Sequence, residues 1–505
     1  MNLLPSRRAL FAGGLSAAAL GSSRAWADTG PEIASAALIE DADIFRRAYF
    51  ALHPGLLRYS SPSQMEANFA DLRAYCGRPR TLAQAHLAFA RTVAKVRCGH
   101  SYLNPYNQTG PAQSLIQGGR TRLPFRFRWL GDRMVVVEGG AGRDLPPRGA
   151  EILAIGGVPV GRILATLLPY ACADGHNDAK RLRLLEVRGE SLWELFDIYF
   201  PLLFPNLVAD GAVDLTMRLP AGDRRRQRVQ LLTREQRAAA VRRGAEPKDP
   251  ADPVWAVERL ADGVALLTMP TWALYDSKWD WQAALNAMMD DLIADKAPGL
   301  VIDLRGNGGG LDVGDVILSR LVDRPVPKAD HPRFVRYRKT PADLDRYLKT
   351  WDSSFRDWGA AATEPQVNGL YRLTRYDDTP LGDVIRPVGQ RFTGRVAVII
   401  DASNSSATFG FADTVKQRGL ATLIGQTSGG NRRGINGGAF FFLQLPGSGL
   451  EIDVPLIGYF PSTPQPDAGV EPDIAVQVSV RDIAQGVDRE RLVALQYVTG
   501  RAVAP

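Results

Sequence analysis

With 505 residues, 45% hydrophobic and 23% charged, the chain has globular composition and room for two or three domains, which excludes a disordered or fibrous protein. Its formal charge of +7 is a modest excess. The densest basic run, Arg224-Arg225-Arg226 with Arg228, has no interleaved aromatic residues for base stacking, so it reads as a solvated strand face rather than a nucleic-acid site.

The N-terminus shows Arg7-Arg8, an apolar stretch from Ala9 to Gly21, then Ala25-Trp26-Ala27, the order of a signal peptide cleaved after Ala27. Ser6-Arg7-Arg8-Ala9-Leu10-Phe11 resembles a twin-arginine export signal. The apolar stretch is too short to span a bilayer, so the expectation is an exported, periplasmic or secreted protein with no stable membrane anchor after processing. Loss of Arg7, Arg8 and Arg24 leaves a mature charge of +4.

Residues 28–110 read as a helical N-terminal region. Leu82, Ala85, Phe89, Val93 and Val96 recur at three- and four-residue spacing before Cys98-Gly99-His100-Ser101. Residues 120–235 carry a strand at Met134–Glu138, then two short strands around Gly156-Gly157 and an apolar helix from Ile163 to Leu168. This stretch resembles a PDZ-type module, which serves either packing or peptide capture at a sheet edge. A Pro- and charge-rich linker, Gly244 to Pro253, follows. From 254 to 485 strands alternate with helices: Val264–Met269, a helix through Leu285, Met288, Met289, Leu292 and Ile293, Gly299–Leu304, a helix from Val313 through Ile317 and Leu321, Val396–Ile400 and a helix Phe409–Gln417. That alternation predicts a parallel-sheet α/β core. An insertion at about 325–391, with Trp351, Trp358, Tyr371 and Tyr376, reads as a lid, a cleft wall or a small aromatic core. Residues 486–505 form a C-terminal helix or tail.

Two turns of this core could carry chemistry. Asp401-Ala402-Ser403-Asn404-Ser405-Ser406-Ala407-Thr408 leads from a buried strand into a helix, where unpaired N–H groups and the helix dipole favour the anion formed when a serine attacks a carbonyl. A plain Ser/Asn N-cap is the competing reading. Asp303-Leu304-Arg305-Gly306-Asn307-Gly308-Gly309-Gly310 likewise follows a buried strand, and its glycines let backbone N–H groups approach a ligand oxygen. It lacks the Lys and Ser/Thr of a phosphate loop. A base is still required, and His100 lies far upstream, which is no objection because such groups meet in space. Cys76, Cys98 and Cys172 are too few for a disulfide framework, although two could pair in an oxidising compartment. Neither they nor the scattered His53, His86, His100, His176 and His331 have zinc-ligand spacing, which disfavours a metal hydrolase.

At these motifs the chain resembles the C-terminal-processing (tail-specific) protease superfamily, which also contains the tricorn-type proteases. The resemblance runs from about Val264 to Val478 through Gly299 to Gly310, the Ser405-Ser406-Ala407-Thr408 turn, Leu423 to Gly430, and Gly469-Val470-Glu471-Pro472-Asp473-Ile474. It implies a crotonase-like α/β spiral peptidase core, so the expected fold class is α/β with a PDZ-like β-rich module and a helical N-terminal region. It also implies that Ser406 is the nucleophile, with Ser405 as competitor, and that Ala407 and Gly308 or Gly309 lend oxyanion-hole amides. The Ser-Lys members carry a lysine in the glycine loop where this chain reads Gly429-Gly430-Asn431-Arg432-Arg433. Arginine is a poor base, which places that role on His100, as in tricorn-type relatives.

Those relatives have a serine before the histidine and a carboxylate behind it; here Gly99 precedes and Ser101 follows. Glu471 or Asp467 is the expected orienter of His100, with Ser101 as a neighbour, and Asp473 a structural turn residue. Arg432 and Arg433 read either as a site for a substrate carboxylate or as surface charge. The resulting expectation is a serine peptidase acting on peptides or proteins, needing no metal or organic cofactor. A non-catalytic binding protein on the same fold and an esterase or amidase for small molecules are the two other classes.

Overall fold

Ser61 and Thr81 start helices by the same device. Each side chain accepts from the backbone N–H three residues on, while the glutamine there, Gln64 or Gln84, accepts from the cap's own N–H. The resulting helices, Pro62–Tyr75 and Leu82–Ala94, pack with Ser35–Leu52 around the mutually contacting rings of Phe45, Tyr49, Phe69 and Phe89. Ala85, Phe89 and Val93 are buried on one face of the third helix, as the spacing predicts. The computed structural model describes residues 30–139, 145–189, 193–241, 249, 251–260, 262–365, 369–377 and 382–501. The expected signal peptide and most of the expected linker lie outside the described residues.

The second stretch is an antiparallel sheet of Phe125–Leu130, Arg133–Gly139, Glu151–Ile155, Ala212–Arg218 and Arg224–Gln230. Gly156 and Gly157 have φ of +55° and +79°, the two positive values that a tight two-residue hairpin with the right twist demands. The basic run is its last strand, with Arg224, Arg225, Arg226 and Arg228 exposed and Val229 buried. Such charge on an edge strand opposes pairing with other chains.

The expected parallel core is present. Ile474–Ala475, Thr422–Gly425, Arg395–Ile400, Gly299–Asp303 and Ala265–Thr268 run parallel, with Ala256–Arg259 antiparallel at one edge. All five residues of Gly299–Asp303 are buried, because apolar side chains cover the sheet on both faces. Asp303 pairs in register with Ile399. The loops after these two strands therefore leave the same sheet edge side by side, and this adjacency places the candidate site.

A third sheet explains the 325–391 segment. Its short strands Arg333–Val335, Leu348–Lys349, Ala362–Pro365 and Tyr371–Leu373 join the long hairpin Asn436–Gln444 and Glu451–Tyr459. Trp358, Phe355 and Tyr337 are buried in a core continuous with that of the N-terminal helices and the first antiparallel sheet, whereas Trp351 is exposed. The segment is built into this sheet rather than hinged over the molecule. Cys76, Cys98 and Cys172 are buried free thiols. Among the described residues no helix is long and apolar enough to cross a membrane.

Candidate active site

The buried strand Arg395–Ile400 ends at Asp401, and the helix Ala407–Arg418 begins six residues later. Ser406 occupies its cap position with φ +54° and ψ −127°, and its side chain makes no cap hydrogen bond. A capping serine has extended backbone angles and bonds the second or third helical N–H. Ser406 instead has the strained backbone by which a strand-to-helix turn presents a serine hydroxyl above a sheet edge. Its neighbour is committed elsewhere: Ser405 Oγ lies 3.2 Å from Gly308 O and from Ser403 O, and accepts from Lys180 Nζ at 3.2 Å.

Buried amides and one carboxylate lock the serine turn to the glycine loop. Asp401 Oδ1 accepts from Ser403 N (2.8 Å) and Gly306 N (3.3 Å). Asn404 donates to Leu304 O (2.6 Å) and Asn307 O (3.0 Å) and accepts from Asp401 N at 2.8 Å. Thr408 Oγ1 lies 3.0 Å from Asn307 O and 2.8 Å from Ser405 O. Burial works against the Asp401 charge. Arg183, Arg188 and the two backbone donors outweigh it and hold the carboxyl well below its usual range.

Gly309, at φ +104°, packs directly on the serine. A Cβ there would fall 2.7 Å from Ser405 O, 2.8 Å from Ser406 Cβ and 3.0 Å from Ala407 N. Its own N–H goes to Asn307 Oδ1 at 3.0 Å, while the Ala407 amide opens the helix that follows Ser406. Gly309→Ala is expected to cost about 2–4 kcal/mol of stability from backbone strain and overlap. Displacement of the two turns should also lower hydrolysis at least about 100-fold, checked by urea denaturation beside a hydrolysis assay.

His100 is partly buried, its ring 6.0 Å from that of Phe440 and its Nε2 facing Gly437. Burial, reinforced by the positive Lys180, brings its pKa down to about 4, so it is neutral near pH 7. Nδ1 is buried without a hydrogen-bond partner. The place of a side chain at Gly99 is filled by Asp174. A Cβ there would meet Asp174 Oδ2 at 2.7 Å, and the Gly99 N–H donates to Asp174 Oδ1 at 3.0 Å. Asp174 is 1% exposed, and burial pushes its pKa up to about 6.

The remaining sequence candidates are engaged as follows. Glu471 accepts from Thr427 Oγ1 (2.8 Å). Asp467 accepts from the His176 backbone (3.0 Å), lies 2.5 Å from His176 Nδ1 and accepts from Asn431 at 2.7 Å. Ser101 Oγ is 3.0 Å from the buried His53 Nε2. Asp473 accepts from Leu423 N (2.8 Å) and pairs with Lys416, a structural turn role. Arg432 donates to Gln465 at 2.8 Å and lies 3.7 Å from Asp413. Arg433 lies over the Tyr59 ring and 3.7 Å from Asp467. None of these carboxylates hydrogen-bonds His100 in this state. Asp174, Lys180, Asp401, Asn404 and Asn307 were not singled out from the sequence. The polar residue that directly follows the buried strand Arg395–Ile400 is the signal that could have pointed toward Asp401. Among the described residues no group of three or more His, Cys, Asp or Glu is placed to hold a metal.

A parallel-sheet edge that brings a strained serine turn against a glycine loop defines a serine-type hydrolase. Residues 263–476 match the model of peptidase family S41. The fold is similar to that of mature CPAF complexed with lactacystin, at 15% identity over 92% of this chain and 99% of that one, TM-score 0.60. Mature CPAF in a second crystal structure gives 16% identity over 93% and 99%, TM-score 0.57. No curated protein matches the chain.

Proposed function

We propose that the protein is an exported peptidase that cleaves peptide bonds with Ser406 as nucleophile and His100 as general base. The observation that carries this reading is the Ser406 backbone, strained at φ +54° with the hydroxyl free of any cap bond and Gly309 packed against it. Ser406 Oγ attacks the peptide carbonyl while the imidazole removes its proton. The Gly308 and Ala407 amides receive the developing oxyanion. The imidazolium then protonates the leaving amine, and water, activated by the same imidazole, releases the acyl group. Glu471 or Asp467 would orient His100 only by giving up its present partner on substrate binding. Export rests on the N-terminal signal pattern.

A fluorophosphonate probe tests the site. It is expected to label the wild type and not Ser406→Ala; undiminished labelling of that variant sinks the nucleophile. The base has its own readout. Because His100 must be neutral to act, kcat/KM should fall on the acid side through about pH 4 rather than through the 6.5 of an ordinary histidine. His100→Ala should abolish the hydrolysis, and full activity in that variant removes His100 from the mechanism. Comparing peptide with simple ester substrates separates a peptidase from an esterase.

A further inference from the structure

The glycine loop Gly429–Arg433, after the strand Thr422–Gly425, has no lysine, yet a lysine reaches the serine turn from elsewhere. Lys180 sits on the short helix Asp178–Leu184, nearly 250 residues upstream of that loop, and is only 9% exposed. Its stem crosses the face of Gly429, where a Cβ would fall 2.9 Å from Lys180 Cδ. Glycine at 429 keeps this channel open. Beyond it, Nζ donates to Ser403 O at 2.9 Å and to Ser405 Oγ at 3.2 Å.

We propose that Lys180 is a positioning residue of the hydrolytic site: its ammonium ties down the turn preceding Ser406. The proposal rests on the Ser406/His100 reading and adds to it a residue outside the S41 domain. Both bonds of Nζ go to the turn that leads into the strained serine, at Ser403 and Ser405, so this group resists relaxation of the turn toward ordinary backbone angles. The charged groups facing Lys180 are Arg183 on its own helix, Asp401 at the end of the serine strand and Asp174 behind Gly99. Among the described residues, the charge that bears on His100 is that of Lys180. Burial, opposed by the two carboxylates, lowers the ammonium to about 8, so it is charged at neutral pH and its influence on His100 persists there. Removing that charge removes one of the two effects that keep the imidazole unprotonated.

The test is the rate of fluorophosphonate labelling at Ser406 from pH 3 to 9, in wild type, Lys180→Met and Lys180→Arg, with folding checked by circular dichroism. Lys180→Met is expected to label about 10- to 100-fold more slowly at pH 7, as for a displaced reacting group, with its acid limb moved to higher pH. Lys180→Arg keeps the charge and should keep the acid limb near that of wild type. A folded Lys180→Met with wild-type rate and limb overturns the proposal. So does labelling of Ser405 that vanishes in Lys180→Met, which would make the lysine a base for Ser405. If Lys180→Met does not fold, Lys180→Gln, a shorter and uncharged side chain, takes its place: slower labelling supports the positioning role, and a wild-type rate and limb overturn it. Failure of wild type to label at Ser406 rejects the catalytic reading itself, whereas normal labelling that ignores Lys180 rejects this inference only.

Discussion

Ser406→Gly is expected to make the protein more stable by about 1 kcal/mol while abolishing hydrolysis. Backbone angles of φ +54° and ψ −127° cost a residue with a Cβ about 1–3 kcal/mol, and glycine adopts them without that penalty. Glycine gives back about 0.4–1 kcal/mol through the greater freedom of its unfolded chain, so relief of strain wins narrowly. Ser406→Ala keeps the strain and should leave stability nearly unchanged. In both variants loss of the proposed nucleophile should lower kcat by about 10⁵–10⁶. Urea midpoints and residual activity of the pair check the argument. A Ser406→Gly variant less stable than Ser406→Ala would mean that the turn is not strained.

Asp401→Asn should cost about 3 kcal/mol of stability and most of the activity. The carboxylate is 2% exposed, and its Oδ2 lies 3.2 Å from Arg188 Nη1 and 3.4 Å from Arg183 Nε. Breaking one side of a buried ion pair costs about 3–5 kcal/mol because the partner's charge is left unpaired. Glu186, 3.5–3.7 Å from the same arginines, keeps the cost toward the low end. Activity falls because Oδ1 is also the clasp between Ser403 and Gly306. The pH dependence has a definite sign. Asp401 titrates lower in the folded than in the unfolded chain, so its stabilisation is complete above the unfolded value of about 3.9 and is lost as pH falls through the folded one. The stability gap between wild type and Asp401→Asn should therefore be widest near neutrality and narrow below about pH 4. A gap independent of pH, by urea denaturation at pH 7 and pH 3, would contradict the charge assignment.

Much of the α/β core was readable because burial imposes a pattern. Gly299–Asp303 and Arg395–Ile400 are apolar runs of strand length bounded by polar turns, and a strand buried on both faces can hardly look otherwise. The hairpin at Gly156-Gly157 was equally visible, since few residues other than glycine take two successive positive φ values. The 325–391 segment was not. Its strands are two to four residues long, too short for a period, and they exist only because the later hairpin Asn436–Gln444 and Glu451–Tyr459 gives them partners.

The site divides along the same line. The Ser406 turn and the Gly306–Gly310 loop announced themselves because each is a local solution to a local problem, bringing backbone amides close to a reacting atom, and local problems are answered by contiguous residues. Lys180 and Asp174 carry no such mark. Lys180 stands in an Arg/Leu-rich helix, and Asp174 precedes an ordinary glycine turn; neither has a meaning until the chain brings one over Gly429 and the other behind Gly99. The sequence by itself determined the sheet, the serine turn and the absence of a lysine from the glycine loop. Only the tertiary structure decided which charges surround the imidazole, because Coulomb and desolvation effects depend on distance in space and on buried volume, and neither follows from separation along the chain.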